Sequence, residues 1–405
     1  MQDVNAMKLR TVRDSHPGGR RVLLRADLNV PLAGGEVADD SRIRAVIPTL
    51  NWLRERGARV AVLSHLGRPD GRVVEELRMR PVAARLERLL GHPVQVMSDC
   101  VGPEVARAIE DLPPGGVVVL ENVRFHPEEE ENDPGFARAL ASPFDAFVND
   151  AFATAHRAHA STVGVTQYLP SYAGLLMERE VEVLSGVRDD PRRPLWILVG
   201  GKKAKDKLGV LTDLLPRVDG FLVGGGVAFT FLVAQGFAVG KSVVDRELVP
   251  TLAGLLGRAR ELGKEIVLPE DVVVARELAP GVETKVVPAD AIPEGWMGLD
   301  IGPATREKFA ERVASAGTVV WAGPVGAFEH PPFAAGTEAV ARALVASRAF
   351  TVVGGGETGE AVEKLGLAER FGYVSTGGGA TLDFLRGEPM PALEPLRLTP
   401  GGGGR

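Results

Sequence analysis

Short apolar runs in the first half of this chain end in cations and polar groups: Arg25 with Asp27 and Asn29, His65 with Arg68, Arg124 with His126, and His156 with Arg157. Guanidinium groups hold carboxylate and phosphate through paired hydrogen bonds, so Arg25, Arg42, Arg68, Arg124 and Arg157 together suit a small, strongly anionic molecule. Arg25 lies inside its apolar run and is read as structural. In the second half the runs end in glycine instead. Residues 195–199 lead into Gly200 and Gly201, 221–223 into Gly224, Gly225 and Gly226, and 319–321 into Ala322 and Gly323. The same step recurs at Gly354, Gly355 and Gly356 and at Gly377, Gly378 and Gly379. Glycine there leaves backbone N–H groups bare and lets a phosphate approach a helix N-terminus. Tight turns alone would explain one such cluster; recurrence through one half points to a nucleotide phosphate tail. Lys202, Lys203, Lys205 and Lys207 follow the first cluster. A solvated face accounts for such a run in isolation, but its place after a buried strand favours a phosphate contact for at least one lysine.

Two familiar phosphate motifs are near misses. GFAVGKS, over residues 236–242, is one residue short of G-x-x-x-x-G-K-[ST], a loop whose length is its mechanism. Gly354, Gly356 and Gly359 match G-x-G-x-x-G, yet the next apolar run ends in Ser375 and Thr376, where a dinucleotide fold needs an acidic ribose ligand. No Cys/His cluster has zinc spacing, and no G-x-S-x-G elbow occurs.

These groups need a scaffold that brings strand ends together. From residue 21 to 150 apolar runs at 22–26, 60–64, 94–97, 117–120 and 146–148 read as strands, with helical patterns at 41–56, 81–90 and 134–141 between them. A second alternating series runs from 195 to about 385. Alternation of this kind means βαβ units and parallel sheets with helices on both faces, with ligands at the carboxyl ends of the strands. The expected fold is therefore α/β, two doubly wound parallel-sheet (Rossmann-like) domains. They span 1–170 and 189–387, joined by an amphipathic helix and hinge over 171–188 that packs on both. A tail over 388–405 follows, for which a return to the first domain stays open, and 401–404 is expected to be disordered.

With 405 residues, two domains are the default, and 45% apolar with 25% charged residues is ordinary for a globular chain. The net charge of −6 argues against general nucleic-acid binding. The one cysteine, Cys100, excludes an internal disulfide, fits a reducing cytosol and is expected to be a buried thiol. The first residues hold no apolar core of signal-peptide length, and Met7 is an alternative start. The uncharged stretch 220–240 is broken by glycines and reads as a strand, a turn and a buried helix rather than a membrane span.

The strings RADLNVP, LSHLGRP, LLENVRFHPEEE, NDAFATAHRAHAS, GGKKAKDK, GGGVAFTFL, LDIGP, WAGPVGAFE, GGGETG and STGGGATLDFL occur in this order across nearly the whole chain. Together they closely resemble the phosphoglycerate kinase family. That resemblance implies reversible phosphoryl transfer between 1,3-bisphosphoglycerate and ADP, giving 3-phosphoglycerate and ATP with Mg²⁺, as a cytoplasmic monomer of glycolysis and gluconeogenesis that binds no nucleic acid or membrane. It implies a first domain for 3-phosphoglycerate and a second for the Mg-nucleotide, which close on a hinge. Asp27, Leu28, Asn29, His65, Leu66, Gly67, Arg68, Arg124 and Arg157 would bind the acid substrate, and Arg42 aligns with the family's catalytic arginine. Lys203 would follow the transferred group. Lys207, Gly225, Glu329, Gly355, Gly356, Glu357 and Thr358 would bind the nucleotide, Glu357 meeting Mg²⁺ directly or through water. Gly356 and Gly379 would serve the transfer itself, with Gly378 and Gly379 presenting N–H groups opposite.

Lys202 and Lys205 depart from the small or uncharged residues usual there, Ala322 from the asparagine of W-N-G-P, and Glu357 from the aspartate of G-G-G-D. None removes a charge that the chemistry needs. The alternative is a non-catalytic binding protein that keeps the fold, which an assay of ATP formation separates.

Overall fold

In the computed structural model, which describes residues 7–398, the chain divides into two units: the residues up to Ser185 together with those from Glu388 onward, and Gly186–Gly387. The first unit carries β1 (Arg21–Arg25), a hairpin of β2 (Leu32–Ala33) and β3 (Glu36–Val37), then β4 (Arg59–Leu63), β5 (Val94–Val96), β6 (Val117–Val119), β7 (Ala146–Asn149) and β8 (Ser171–Ala173). Its helices are α1 (Ser41–Arg54), α2 (Arg80–Leu90), α3 (Pro103–Asp111) and α4 (Pro134–Ala141), and α5 (Leu175–Asp189) runs on into the second unit. Six strands make one parallel sheet in the order β5-β6-β4-β1-β7-β8.

Successive strand side chains point to opposite faces, and here both faces are buried. Val22, Leu24, Val60 and Val62 pack with Ile43, Leu50 and Leu86 of α1 and α2. Leu23 and Ala61 turn the other way, toward Val105, Ile109 and Leu140 of α3 and α4. Continuous apolar runs, rather than alternating ones, follow from that double burial. The last described residues also belong to this unit: Leu9 bridges Arg397, Leu398 donates its N–H to the Lys8 carbonyl at 2.8 Å, and Ala392 donates to Ala155 at 3.1 Å. Residues 401–404 lie outside the described residues.

The second unit begins with β9 (Leu195–Val199), α6 (Leu208–Leu214), β10 (Gly220–Val223), α7 (Gly225–Ala234), α8 (Val249–Glu261) and β11 (Glu265–Val267). Then come β12 (Asp271–Ala275), β13 (Lys285–Pro288), β14 (Met297–Ile301), α9 (Pro303–Ala314), β15 (Thr318–Ala322) and α10 (Ala335–Ala346). It ends with β16 (Phe350–Gly354), α11 (Gly356–Lys364), β17 (Tyr373–Val374) and α12 (Gly379–Arg386). Its parallel sheet has the order β11-β10-β9-β15-β16-β17. The stretch 220–240 divides into β10 and α7, and among the described residues no helix is long and apolar enough to cross a membrane.

Two expectations are corrected. Residues 171–188 are not one helix, because Ser171–Ala173 extend as β8 and pair with Phe147–Asn149 of β7 before the helix starts at Leu175. A three-residue edge strand is too short for its period to stand out from a helical pattern. The second unit also contains an antiparallel sheet, β13-β12-β14, absent from the purely alternating scheme. Val272 and Val274 of β12 bury against Phe229 and Trp296, a satellite core that strand–helix alternation does not reveal.

Candidate active site

In the first sheet the strand order reverses between β1 and β7: from β1 the chain goes to β4 on one side, and from β7 it goes to β8 on the other. Such a switch point opens a crevice at the strands' carboxyl ends. Asp27, Leu28 and Asn29 follow β1 directly. Asp27 Oδ2 accepts from Arg42 Nη1 at 2.7 Å, and Asp27 Oδ1 from the Asn29 N–H at 3.2 Å. Asn29 Oδ1 accepts the Gly67 N–H at 2.8 Å, while Arg124 Nη1 donates to the Gly67 carbonyl at 3.1 Å. The loops after β1, β4 and β6 are thus tied together at one glycine. Its φ is +63°, which strains any side chain, and a Cβ there would stand 2.7 Å from Leu77 Cδ2, which would have to turn aside.

His65 sits at the electrostatic centre. Burial first, then the positive charges of Arg25, Arg124, Arg42 and Arg157, hold its pKa well below the ordinary imidazole value. Arg25 Nη2 lies 3.2 Å from His65 Nδ1. A guanidinium can only donate, so Nδ1 accepts and Nε2 carries the hydrogen. Arg25 is itself fully buried, donating also to Ser161 Oγ at 2.8 Å and to the Ala26 carbonyl. Ser161 in turn donates to Glu129 Oε1 at 2.5 Å. Nothing in the sequence pattern singles out Ser161 or Glu129, which meet only through the fold.

Arg68 and Arg157 are exposed, and Arg157 Nε donates to His156 Nε2 at 3.1 Å. Leu28 and Leu66 are core residues whose side chains turn away from solvent. The Leu28 N–H is taken by Ser64 Oγ at 2.9 Å and the Leu66 carbonyl by Asn122 Nδ2 at 2.8 Å. Cys100 is buried, and burial pushes its thiol pKa well above the usual value. Its sulfur lies within 4.8 Å of ligand atoms of Asp99 and His126, which are hydrogen-bonded to each other at 2.8 Å.

The switch of the second sheet lies between β9 and β15. A Cβ on Gly200 would come within 2.4 Å of the Gly323 carbonyl oxygen, so these two strand ends meet backbone to backbone. Gly355 and Gly378 cap α11 and α12. A Cβ at Gly356, Gly378 or Gly379 would meet nothing within 4 Å, which leaves both helix N-termini open to an anion. Lys203 is exposed just beyond β9, and Glu357 is exposed in the first turn of α11. Half-buried Lys207 is lowered in pKa by burial, an effect opposed by the charges of Glu357 and Asp206. Thr358 is different: its hydroxyl is buried and accepts the Gly323 N–H at 2.7 Å, fastening α11 to the end of β15. Ala322 is buried within β15.

Beside these termini lies a cleft of about 470 Å³ whose walls include Gly201, Lys202, Gly225, Leu299, Asp300, Glu329 and Glu357. Phe229, Val272, Met297 and Val325 make it largely apolar. Lys202 thus faces the cleft. Asp300 is the buried acid in this wall that the sequence pattern leaves unassigned, although the string LDIGP contains it.

A family model described as Phosphoglycerate kinase matches residues 12–388. A phosphoglycerate kinase of Moorella thermoacetica is 53% identical over 386 residues, covering 95% of this chain and 98% of that one. One from Rubrobacter xylanophilus is 52% identical, covering 96% and 98%. Among solved structures, phosphoglycerate kinase from Coxiella burnetii superposes with a TM-score of 0.84 at 40% identity, covering 96% of this chain and 99% of that chain. Fold and comparisons together define a nucleotide-dependent phosphotransferase built from two doubly wound α/β units. The chain belongs to the phosphoglycerate kinase family, and its catalytic role is that of a kinase in glycolysis.

Proposed function

We propose that the first unit binds 3-phosphoglycerate or 1,3-bisphosphoglycerate, the second binds Mg-ATP or Mg-ADP, and the chain moves the phosphoryl group reversibly between them. The observation that carries this reading is the convergence of four guanidinium charges on the neutral imidazole of His65. So much positive charge around one strand-end crevice suits a small ligand carrying both carboxylate and phosphate. Asp27 holds Arg42 in place there; Arg124 and the Nε2–H of His65 supply directed donors, with Arg68 and Arg157 at the exposed rim.

On the nucleotide side, Glu329 accepts from the ribose, the α11 and α12 N-termini with Gly355, Gly356 and Gly379 receive phosphate oxygens, and Lys207 lies behind them. Thr358 contributes through its place in the first turn of α11, since its hydroxyl is engaged. Mg²⁺ prefers hard oxygen donors and is commonly held by one or two carboxylates with substrate phosphates and waters. The exposed Glu357 carboxylate beside an open helix N-terminus fits that donor set. When bound, the ion neutralises phosphate charge. Arg42 and Lys203 stabilise the equatorial oxygens of the moving group, and no general base is needed because the acceptor is already an anion. Because the two ligands sit on different units, transfer requires hinge closure, which also excludes water from the acyl phosphate. We place the protein in the cytoplasm as a monomer without nucleic-acid or membrane partners, in keeping with its net charge of −6 and single cysteine.

The test is ATP formation from 1,3-bisphosphoglycerate and ADP in a coupled assay, repeated with Arg42→Ala and Lys203→Ala. Turnover lost in both variants is the expected result; absence of ATP formation by the parent protein would leave a binding protein that keeps the fold.

A further inference from the structure

Phosphoryl transfer leaves one buried carboxylate of the cleft without a task. Asp300, in β14, is 2% exposed. Its Oδ2 accepts the Gly336 N–H at 2.7 Å, and its Oδ1 accepts the N–H of Ile301 at 2.9 Å. Gly336 belongs to the first turn of α10, where backbone N–H groups have no partner inside the helix and the helix dipole favours an anion. The fit leaves no spare room. A Cβ on Gly336 would stand 2.1 Å from Asp300 Oδ1, and one on Gly326 would stand 2.2 Å from it. The carboxylate is therefore enclosed by two backbone segments, one on each side of Glu329.

We propose that Asp300 is a positioning residue of the nucleotide cleft: by holding Gly336 and packing against Gly326 it sets the course of residues 326–336 and so places Glu329. This inference rests on reading the cleft as the nucleotide site. The near end of the loop has other fastenings, since Ala327 donates to the Leu299 carbonyl at 2.8 Å and Val325 to Thr337 Oγ1 at 3.2 Å. Beyond Ala327 the backbone bonds up to the start of α10 are local turns, from His330 to Ala327 and from Phe333 to His330, both 2.9 Å, and from Ala334 to Pro331 at 3.4 Å. The far end is anchored by burial of Phe333, by the Asp300–Gly336 bond, and one residue further on by the Val325–Thr337 bond, of which only the second is charge-assisted.

The charged groups around Asp300 are few. Arg306 of α9 approaches Oδ2 at 3.3 Å. Asp271 of β12 turns to the α9 N-terminus, accepting from Thr305 N at 2.8 Å, and Glu329 and His330 line the same cleft. Burial outweighs the help from Gly336, Arg306 and Ile301, and the carboxyl pKa is pushed up to about 7. Ionised, the group accepts from Gly336 and Ile301 with separate oxygens. Protonated, one of those oxygens becomes a hydroxyl and a poorer acceptor, so the clamp tightens as pH rises through neutrality.

The experiment uses the full chain with Mg-ATP and 3-phosphoglycerate, comparing the parent with Asp300→Asn, Arg306→Gln and Glu329→Ala. Asp300→Asn should raise the KM for Mg-ATP about ten-fold, the loss of one good charged hydrogen bond, while kcat and the KM for 3-phosphoglycerate stay within about two-fold. The change in nucleotide KM that the parent shows between roughly pH 6 and 8 should flatten in Asp300→Asn and move to higher pH in Arg306→Gln, where the Gly336 and Ile301 bonds remain but the cation and its own hydrogen bond are gone. Hydrogen exchange reads the same clamp without activity. In Asp300→Asn, amides of 326–336 should exchange faster while β9 and β15 keep their protection. If Glu329→Ala raises the nucleotide KM but Asp300→Asn changes neither that KM, its pH profile nor exchange at 326–336, the positioning role is wrong and the nucleotide reading stands. If Glu329→Ala leaves the nucleotide KM unchanged, the nucleotide reading fails and takes this inference with it. Exchange that rises equally throughout the second unit would also overturn it, by showing that Asp300 supports the whole unit rather than one loop.

Discussion

Arg42 Nη1 and Asp27 Oδ2 stand 2.7 Å apart, joining α1 to the loop after β1, with the acid side chain only 5% exposed and the arginine 27%. The acid is thus held almost without water while its partner reaches toward solvent. An ion pair so asymmetric positions the exposed member, and losing that member strands the buried one.

Arg42→Ala and Lys203→Ala should both lower turnover by about 10²–10³-fold, as removal of a preorganised charge contact typically does. They should differ in stability. Arg42→Ala leaves Asp27 desolvated and unpaired, costing on the order of 1–3 kcal/mol. Lys203 is exposed, so its removal should leave the denaturation midpoint of the second unit unchanged. Coupled assays and urea titrations measure the two effects separately, and near-parental turnover in either variant removes that residue from the mechanism.

Glu357→Asp should keep activity and lower the Mg²⁺ concentration needed for half-maximal rate, because a shorter carboxylate suits a small octahedral ion. Glu357→Ala should raise that concentration several-fold. Titration of activity against Mg²⁺ decides; an alanine variant indistinguishable from the parent would remove Glu357 from metal and nucleotide binding.

The first unit should lose stability on the acid side through His159. Burial, aided by the charges of Arg124, Arg25 and Arg157, lowers its pKa to about 4 from 6.5. Between those values the unfolded chain binds a proton that the folded chain refuses. The stabilising contribution is present above pH 6.5 and is lost as pH falls toward 4, amounting to at most roughly 3 kcal/mol. His159→Gln should flatten the fall in denaturation midpoint over that range, and an unchanged slope would show that His159 does not titrate there.

Closure should need both ligands. On the proposed division of ligands, each alone should bias only its own unit, and only the pair should give a large difference in affinity between open and closed states. Small-angle scattering should show compaction with 3-phosphoglycerate plus Mg-nucleotide and little with either alone; full compaction with nucleotide alone would contradict the division of ligands between units.

Much of this was legible in the chain itself. Double burial of parallel strands makes continuous apolar runs, and β1, β4, β6, β7, β9, β10, β15 and β16 stand out for that reason. Helix α4 begins at Pro134 after the Asp133 cap and ends at Ala141, at the boundaries that pattern and capping predict. Edge strand β8 and the β12–β14 sheet were not legible, because short strands and a satellite core leave no distinctive period.

The candidate site divides along the same line. Residue type and place after a strand pointed to His65, Arg124, the lysines at 202–207 and the glycine-capped helix starts, since charge and the missing Cβ are properties of the residue itself, whereas Arg42, in the first turn of α1, and Lys203 among its neighbours were singled out by the family resemblance. The tautomer of His65 depends on Arg25 folding across from the neighbouring strand. The inward turn of Thr358 depends on Gly323, and the use of Asp300 as a clamp on a loop some thirty residues away depends on Gly336, 36 positions later. Sequence determined which groups carry charge, which positions can expose bare N–H, and where strands end. Only the tertiary structure decided which of those groups lose water and face one another, because burial and hydrogen-bond partnership are set by segments distant in the chain.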